Sequence, residues 1–357
     1  MTLGSNICND FAFPVLWVLA CAVALFVSTS DSSAAERKLG LALADLPARS
    51  YDVAVATARD IGVSFSSIPL HWDEIETAPG VYALEIDWLA IAASTYPQLG
   101  LNLALEVNLI DTHRDRRPQW LQNKPWDDPE VIAAFQLLVR HIVTQSSGLE
   151  LVSLSLGNEV DGLLADDATQ WRAYSRLAAA GRAAALAVRP ELLSGVKMTF
   201  AGATGPSKAA AVALSASQDV VLLTYYPLHA DFRARSSHSP IGDFELITTV
   251  FPNHPIHLAE IGYPSSASCA GGESGQAAFV TTVFDAWDAH RDKIAAINWT
   301  WMTDISASEV SAAGAYYGVN KPCFLEYLAT LGLERNDLQP KASWEVFARE
   351  ARSRFVD

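Results

Sequence analysis

From Lys38 onward the chain alternates short apolar runs with amphipathic stretches, and no linker, charge block or low-complexity tract interrupts the alternation. That rhythm builds βα units and a parallel sheet covered by helices. The runs expected as strands are Leu39 to Ala44, Val63 to Ile68, Leu101 to Asn108, Leu151 to Leu156, Gly195 to Phe200, Val220 to Tyr225, Ile256 to Ala259 and Ala295 to Trp301. Between them the period predicts helices over Tyr51 to Arg59, Leu84 to Ala93, Pro129 to Thr144, Gln170 to Val188, Ala209 to Leu214, Ile241 to Val250 and Gln276 to His290, with a last one from Ser343 to Arg354. Pro129 at a first helical position and Pro190 just past an Ala-rich stretch mark helix ends.

An open doubly wound sheet has the same alternation, so periodicity alone leaves two architectures in competition. Eight strands favour the closed one, an α/β protein with a (β/α)8 TIM barrel forming a single domain over residues 36–357. No G-x-G-x-x-G turn follows the first strand and no G-x-x-x-x-G-K-[ST] occurs, which removes the usual phosphate-binding signs of the open sheet. A chain of 357 residues accommodates one barrel and a short leader, since such barrels run to about 250 residues or more.

Residues 1–35 are expected to be that leader. Phe11 to Val27 is an uninterrupted apolar run, followed by a polar, small-residue stretch in which Ser33-Ala34-Ala35 suits signal cleavage before Glu36. No Lys or Arg precedes the run, and its length nearly spans a bilayer, so retention as a membrane anchor through residues 11–27 is the alternative, with lipid attachment at Cys21 a third. Either way the barrel is expected outside the cytoplasm, secreted or periplasmic. Of four cysteines only Cys269 and Cys323 lie beyond the leader, and an oxidising compartment favours a disulfide between them. Their loops, after the seventh and eighth strands, are neighbours on one barrel rim. Two thiols packed as small hydrophobes are the alternative.

The formal charge of −15 argues against nucleic acid and anionic membranes as partners, because their phosphates repel such a chain. A neutral substrate fits better. The 10 Trp, 10 Tyr and 14 Phe exceed what a core alone demands, so some aromatics are expected to line a cleft. No protein partner is indicated and no metal or other cofactor is required. His254 and His257 have a three-residue spacing, but Pro255 and the strand-like context speak against a metal site there.

In a barrel the chemistry sits at the C-terminal ends of the strands. The fourth strand runs out into Gly157-Asn158-Glu159, and the seventh, Ile256-His257-Leu258-Ala259, into Glu260. Along the fourth strand Ser153, Ser155 and Gly157 keep one face small, while Val152, Leu154 and Leu156 are expected to face the helices. Two apolar strands that each end in a lone glutamate place two carboxyls over one cleft. A structural ion pair is the bland explanation for either acid. Glycoside cleavage is the chemical one: one carboxyl protonates the departing oxygen while the other, ionised, attacks the anomeric carbon.

Gly157-Asn158-Glu159, Tyr225-Tyr226-Pro227, Ala259-Glu260-Ile261-Gly262-Tyr263-Pro264-Ser265 and Asn298-Trp299-Thr300-Trp301, in that order along the strands, resemble clan A of the glycoside hydrolases. So does His71-Trp72-Asp73-Glu74-Ile75-Glu76 followed by Pro79-Gly80-Val81-Tyr82. The likeness covers nearly the whole chain after the leader. Its short phrases are most similar to endo-acting β-1,4-galactanases and β-1,3-glucanases. It implies a retaining β-glycosidase acting on a neutral oligo- or polysaccharide, with Glu159 as acid/base, Glu260 as nucleophile and Asn158 as donor to a sugar hydroxyl. It also implies Tyr226, or else Tyr225, as a hydrogen-bond partner of the nucleophile. Trp299, or else Trp301, would floor the sugar subsite, the facing of that strand being open by one residue. The clan's arginine at the end of an early strand, which supports the nucleophile, has no clear counterpart among Arg49, Arg114, Arg116 and Arg117.

His71 and Trp72 are candidate sugar contacts, set against a packing role in the cleft wall. For Trp120 and Trp126 loop anchoring is the favoured reading over further subsites. A non-catalytic carbohydrate-binding barrel is the competing function, although it does not need both glutamates. A lyase or aldolase would want a Schiff-base lysine, for which Lys197 is the one plausible candidate.

Overall fold

The computed structural model describes residues 37–44, 46–83 and 87–356. The leader lies outside them, as do Leu84, Glu85 and Ile86 at the start of the second expected helix. No helix among the described residues is long and apolar enough to cross a membrane.

Eight parallel strands form the barrel: β1 (Lys38–Leu41), β2 (Phe65–His71), β3 (Asn102–Asp111), β4 (Leu151–Asn158), β5 (Ser194–Gly195 and Lys197–Thr199), β6 (Val221–Tyr225), β7 (Ile256–Ile261) and β8 (Ile294–Trp299). Each pairs with its sequence neighbours, and β1 also pairs with β8. The ring is completed through β5, whose first half pairs with β4 and whose second half pairs with β6. The helices α1 (Tyr51–Arg59), α2 (Trp88–Leu99), α3 (Pro129–Gln145), α4 (Ala168–Val188), α5 (Lys208–Ser215), α6 (Pro240–Val250), α7 (Glu273–Ala289) and α8 (Ala342–Phe355) follow the strands in turn. Their starts follow local chemistry: Asp128 caps α3 with Pro129 in its first turn, and Asp167 accepts from Thr169 and Gln170 to begin α4. The main apolar core, including Leu105, Leu154, Leu223, Phe135 and Phe279, is built from the outward face of the strands and the inward stripes of these helices.

Inside the barrel a small plug of Phe65, Ala104, Val152 and Ala296 fills the floor. Gly40 leaves room for it, because a Cβ there would sit 2.4 Å from the Phe65 ring. Val152 corrects the expected alternation: Leu103 pairs with Leu151 but Ala104 pairs with Ser153, so Val152 is an extra residue that joins the interior plug. Leu154 and Leu156 keep the expected outward facing.

After β8 the chain builds two further helices, Ala307–Tyr317 and Pro322–Ala329, which sequence periodicity did not separate. A capping box between Ser306 and Glu309 starts the first, and Gly318, in the left-handed region, ends it. Phe324, Tyr327, Leu328 and Leu331 from this cap form their own cluster with Tyr226, Phe232 and Trp301. Cys323 at the start of the second cap helix is disulfide-bonded to Cys269 in the loop after β7, with a Cα–Cα distance of 5.5 Å. The bridge closes a 54-residue separation, which contributes about 4 kcal/mol in the chain-entropy treatment. Its local effect is to fix one wall of the cleft. Reduction is therefore expected to raise KM several-fold while the far-ultraviolet circular dichroism of the barrel stays intact. Two free thiols in the unreduced protein, or a KM indifferent to reduction, would remove this role.

Candidate active site

A cleft of about 1160 Å³ opens at the C-terminal ends of the strands, and both Glu159 and Glu260 line it. Glu159 stands just past the tip of β4 with φ +44°, after Gly157 at φ +118°. Only glycine fits at 157: the backbone lies in the left-handed region, and a Cβ would come within 2.2 Å of the Tyr174 hydroxyl, which donates to the Leu156 carbonyl. This sharp turn aims Glu159 into the cleft. There Thr224 donates to its Oε1 at 2.6 Å and Thr112 to its Oε2 at 3.0 Å. Burial, reinforced by the charge of Glu260, pushes the Glu159 carboxyl up to about 7 against the pull of those hydroxyls.

Glu260, at the end of β7, has a different environment. Lys197 Nζ donates to its Oε1 at 2.6 Å and the Tyr226 hydroxyl to its Oε2 at 2.7 Å. Lys197 is fully buried and also donates to Glu106 Oε2 at 2.7 Å. Although burial opposes its charge, the two carboxylates hold the Lys197 ammonium above its usual range. An amine kept charged in this way is a poor Schiff-base nucleophile, which speaks against the lyase reading. One cleft thus combines a carboxyl poised near neutrality with a second carboxylate held by an ammonium and a phenol.

Around this pair the cleft offers hydrogen-bonding atoms with no protein partner. Asn158 Oδ1, Asn108 Oδ1 and His71 Nδ1 are buried and unpaired, and their residues all line the cleft. Such atoms suit a polyhydroxylated ligand, because leaving them dry would cost about 1–3 kcal/mol each. Asn158 Nδ2 already donates to Asp111 Oδ1 at 2.6 Å, which fixes the amide's orientation. Burial, with the Arg116 charge nearby, pushes the His71 imidazole below its usual range, so it meets a ligand neutral.

Of the residues expected at the site, Glu159, Glu260, Asn158, Tyr226, Trp301 and His71 line the cleft. Tyr225, Trp299 and Trp72 do not. Tyr225 points outward from β6, where its hydroxyl donates to Asp243 and its ring packs on Phe244 and Phe279. Trp299 is likewise turned to the helices and packs, tilted, against Phe279 and Phe347. The alternation of β6 sends Tyr225 to the core and Tyr226 to the cleft, whereas Trp301 lies past the end of β8 at Trp299 and is not bound by that strand's facing. The Thr300–Trp301 peptide bond is cis. Trp72 is fully buried against Phe135 and donates to Glu76, whose other oxygen accepts from the Gly80 amide, so this motif is a local brace and not a sugar platform. Trp126 is an anchor as expected, packed on Tyr174 and Arg117.

The periodicity reading missed Glu106, Asp111, Thr112, Thr224, Tyr317 and Tyr327. Glu106 had a visible signal, since it is a lone charge inside an otherwise apolar strand, Leu-Ala-Leu-Glu-Val, as Lys197 is in Gly-Val-Lys-Met-Thr. None of the four arginines takes the nucleophile-supporting place: Arg49 pairs with Glu334, Arg116 with Asp73 and Glu74, Arg117 with Asp115, and Arg114 donates to the Tyr316 carbonyl.

Fold and cleft together define a (β/α)8 barrel with one glutamate at the tip of the fourth strand and a second at the tip of the seventh. No sequence profile of a known protein family matches the chain, and no curated protein does. Solved structures do. The chain is similar to an exo-β-1,4-mannosidase from an Opitutaceae bacterium, with a TM-score of 0.70, 16% identity and coverage of 91% of this chain and 62% of that one. It is similar to a GH5_18 protein from Streptomyces cattleya in complex with Manβ1-4GlcNAc, with a TM-score of 0.67, 16% identity and coverage of 89% and 80%. A family 39 glycoside hydrolase from Bacteroides cellulosilyticus follows, with a TM-score of 0.61, 15% identity and coverage of 89% and 64%. At these identities the likeness shows the fold, and the chain spans less than two thirds of the mannosidase's length.

Proposed function

We propose that the protein is a retaining O-glycoside hydrolase, with Glu159 as general acid/base and Glu260 as nucleophile. The observation that carries this reading is the split between two carboxyls in one cleft: burial and the neighbouring charge raise Glu159 to about 7, while Glu260 receives an ammonium and a phenol. In the first step Glu159 gives its proton to the leaving oxygen as Glu260 forms an ester with the anomeric carbon. In the second a water, deprotonated by Glu159, attacks that carbon and Glu260 leaves. Asn158, Asn108 and His71 supply unpaired polar atoms for the sugar's hydroxyls, and Trp301 an apolar surface for its C–H face. The Cys269–Cys323 disulfide supports an oxidising compartment, and with it the export segment.

The cleft lining favours a neutral sugar, since Glu106, Asp111, Glu159, Glu260, Asp304 and Glu309 face it with Arg235 as the sole guanidinium or ammonium among the lining residues. The mannose-bearing ligand of the Streptomyces neighbour makes β-mannosides the first choice. A panel of aryl β-mannoside, glucoside, galactoside, xyloside and glucuronide tests both points. Turnover of a neutral glycoside, with the first-formed sugar keeping its anomeric configuration by NMR, is the expected result. The glucuronide is expected to react at least about a hundredfold more slowly, a penalty of roughly 3 kcal/mol. Sugar binding without any turnover would instead leave a carbohydrate-binding barrel.

A further inference from the structure

Lys197 is the one ammonium found against Glu260 among the described residues, and it occupies an unusual place. It sits in β5, inside the barrel, with no exposed side-chain surface, and its Nζ donates at 2.6 Å to Glu260 and at 2.7 Å to Glu106. Glu106 comes from β3 and is itself nearly buried. A cation withdrawn this far from water is tolerated because carboxylates pair with it, and when one of the two is neutralised the other still balances its charge. Here the ammonium is shared between Glu260 at the tip of β7 and Glu106 of β3, and both carboxylates line the cleft.

We propose that Lys197 and Glu106 form a positioning and charge-holding pair for the nucleophile, with Lys197 acting on the departure of Glu260 from the glycosyl intermediate. The inference rests on the glycosidase reading above. In the first step the bond from the anomeric carbon to the leaving oxygen breaks, that oxygen takes the Glu159 proton, and a Glu260 oxygen bonds to the carbon. The ester carries no charge, so Lys197 loses one of its two anionic partners. Glu106 then keeps the ammonium in place, balanced and aimed at the ester. In the second step water bonds to the anomeric carbon, its proton passes to Glu159, and the bond to Glu260 breaks with the electron pair returning to the carboxylate. Negative charge grows on Glu260 as it leaves, beside an ammonium already oriented to receive it, which is the geometry that stabilises a departing anion most. Tyr226 holds the other oxygen and limits rotation of the carboxylate.

This assignment distinguishes Lys197 from a residue that merely supports folding, because it places the loss in one chemical step. With an activated aryl glycoside, whose departure needs little help, hydrolysis of the intermediate limits turnover. Lys197→Met is expected to lower kcat on such a substrate about 10²-fold and to lower KM with it, since the intermediate accumulates. A burst of phenol release equal to the enzyme concentration is expected to precede the slow phase. Intact mass spectrometry is expected to show the sugar adduct, which reverts slowly after excess substrate is removed. Lys197→Arg, which keeps the charge, is expected to restore a substantial part of kcat. The single methionine variant strands Glu106, so Lys197→Met/Glu106→Gln provides a variant without an orphaned carboxylate, and it is expected to show the same burst and the same low KM. An unchanged kcat and KM in the folded double variant, or a fall in kcat with KM raised and no adduct, overturns the proposal. Failure of the parent reading looks different: the wild-type protein itself turns over no glycoside on the panel.

Discussion

Glu260→Ala is expected to lower kcat/KM by roughly 10⁴- to 10⁶-fold, the scale seen when a covalent nucleophile is removed, and to regain turnover when azide is added. The physical ground is the vacancy that alanine leaves between Lys197 Nζ and the Tyr226 hydroxyl, two donors that both lose Glu260 as acceptor. A small anion satisfies both. From there azide attacks the anomeric carbon on the face that Glu260 used, and no second displacement follows. A β-glycoside is therefore expected to give an α-glycosyl azide, identified by its NMR coupling constant. Parent-like activity in this variant, or rescue giving the β-azide, places the nucleophile elsewhere.

Glu159→Ala is expected to separate substrates by their leaving groups. Losing a general acid costs about 10²- to 10⁴-fold where the departing oxygen needs a proton, and little where the leaving group is a nitrophenol. The wild-type pH profile carries the matching sign: the acid works only while protonated, so kcat/KM is expected to fall as pH rises through about 7. Glu159→Ala is expected to lose that limb. The same carboxyl has a stability consequence that needs no substrate. Its native value lies above the unfolded one, so the folded state holds the extra proton between roughly pH 4.5 and 7, and stability declines across that window as pH rises. Fully ionised, it weighs against the fold by up to about 3 kcal/mol. Glu159→Gln keeps the shape and the Thr112 and Thr224 contacts without the charge, so its melting temperature is expected to exceed the wild type's at pH 8 and to match it at pH 4. A melting difference that ignores pH contradicts the buried-acid picture.

The sequence alone determined the parts of this protein that depend on local pattern. Apolar runs of strand length, spaced by amphipathic helices, place all eight strands to within a few residues, and each of two strands runs into a lone glutamate where a barrel carries its chemistry. Gly157 was legible as part of a motif, and the pairing of Cys269 with Cys323 followed from loop adjacency in a barrel. Facing was not legible, because a strand's alternation is fixed only when its register is. Tyr225 and Tyr226 are equally aromatic, as are Trp299 and Trp301; pairing across the closed sheet turned Tyr225 and Trp299 to the helices, and the end of β8 at Trp299 left Trp301 outside the ladder. The extra residue at Val152 was invisible for the same reason. Nor does any local pattern join Glu106 to Lys197, 91 positions away, or bring Tyr327 of the cap over Tyr226. Such contacts arise only when the ring closes and buried charges must find partners, since no free energy acts between those residues until the chain that separates them has folded.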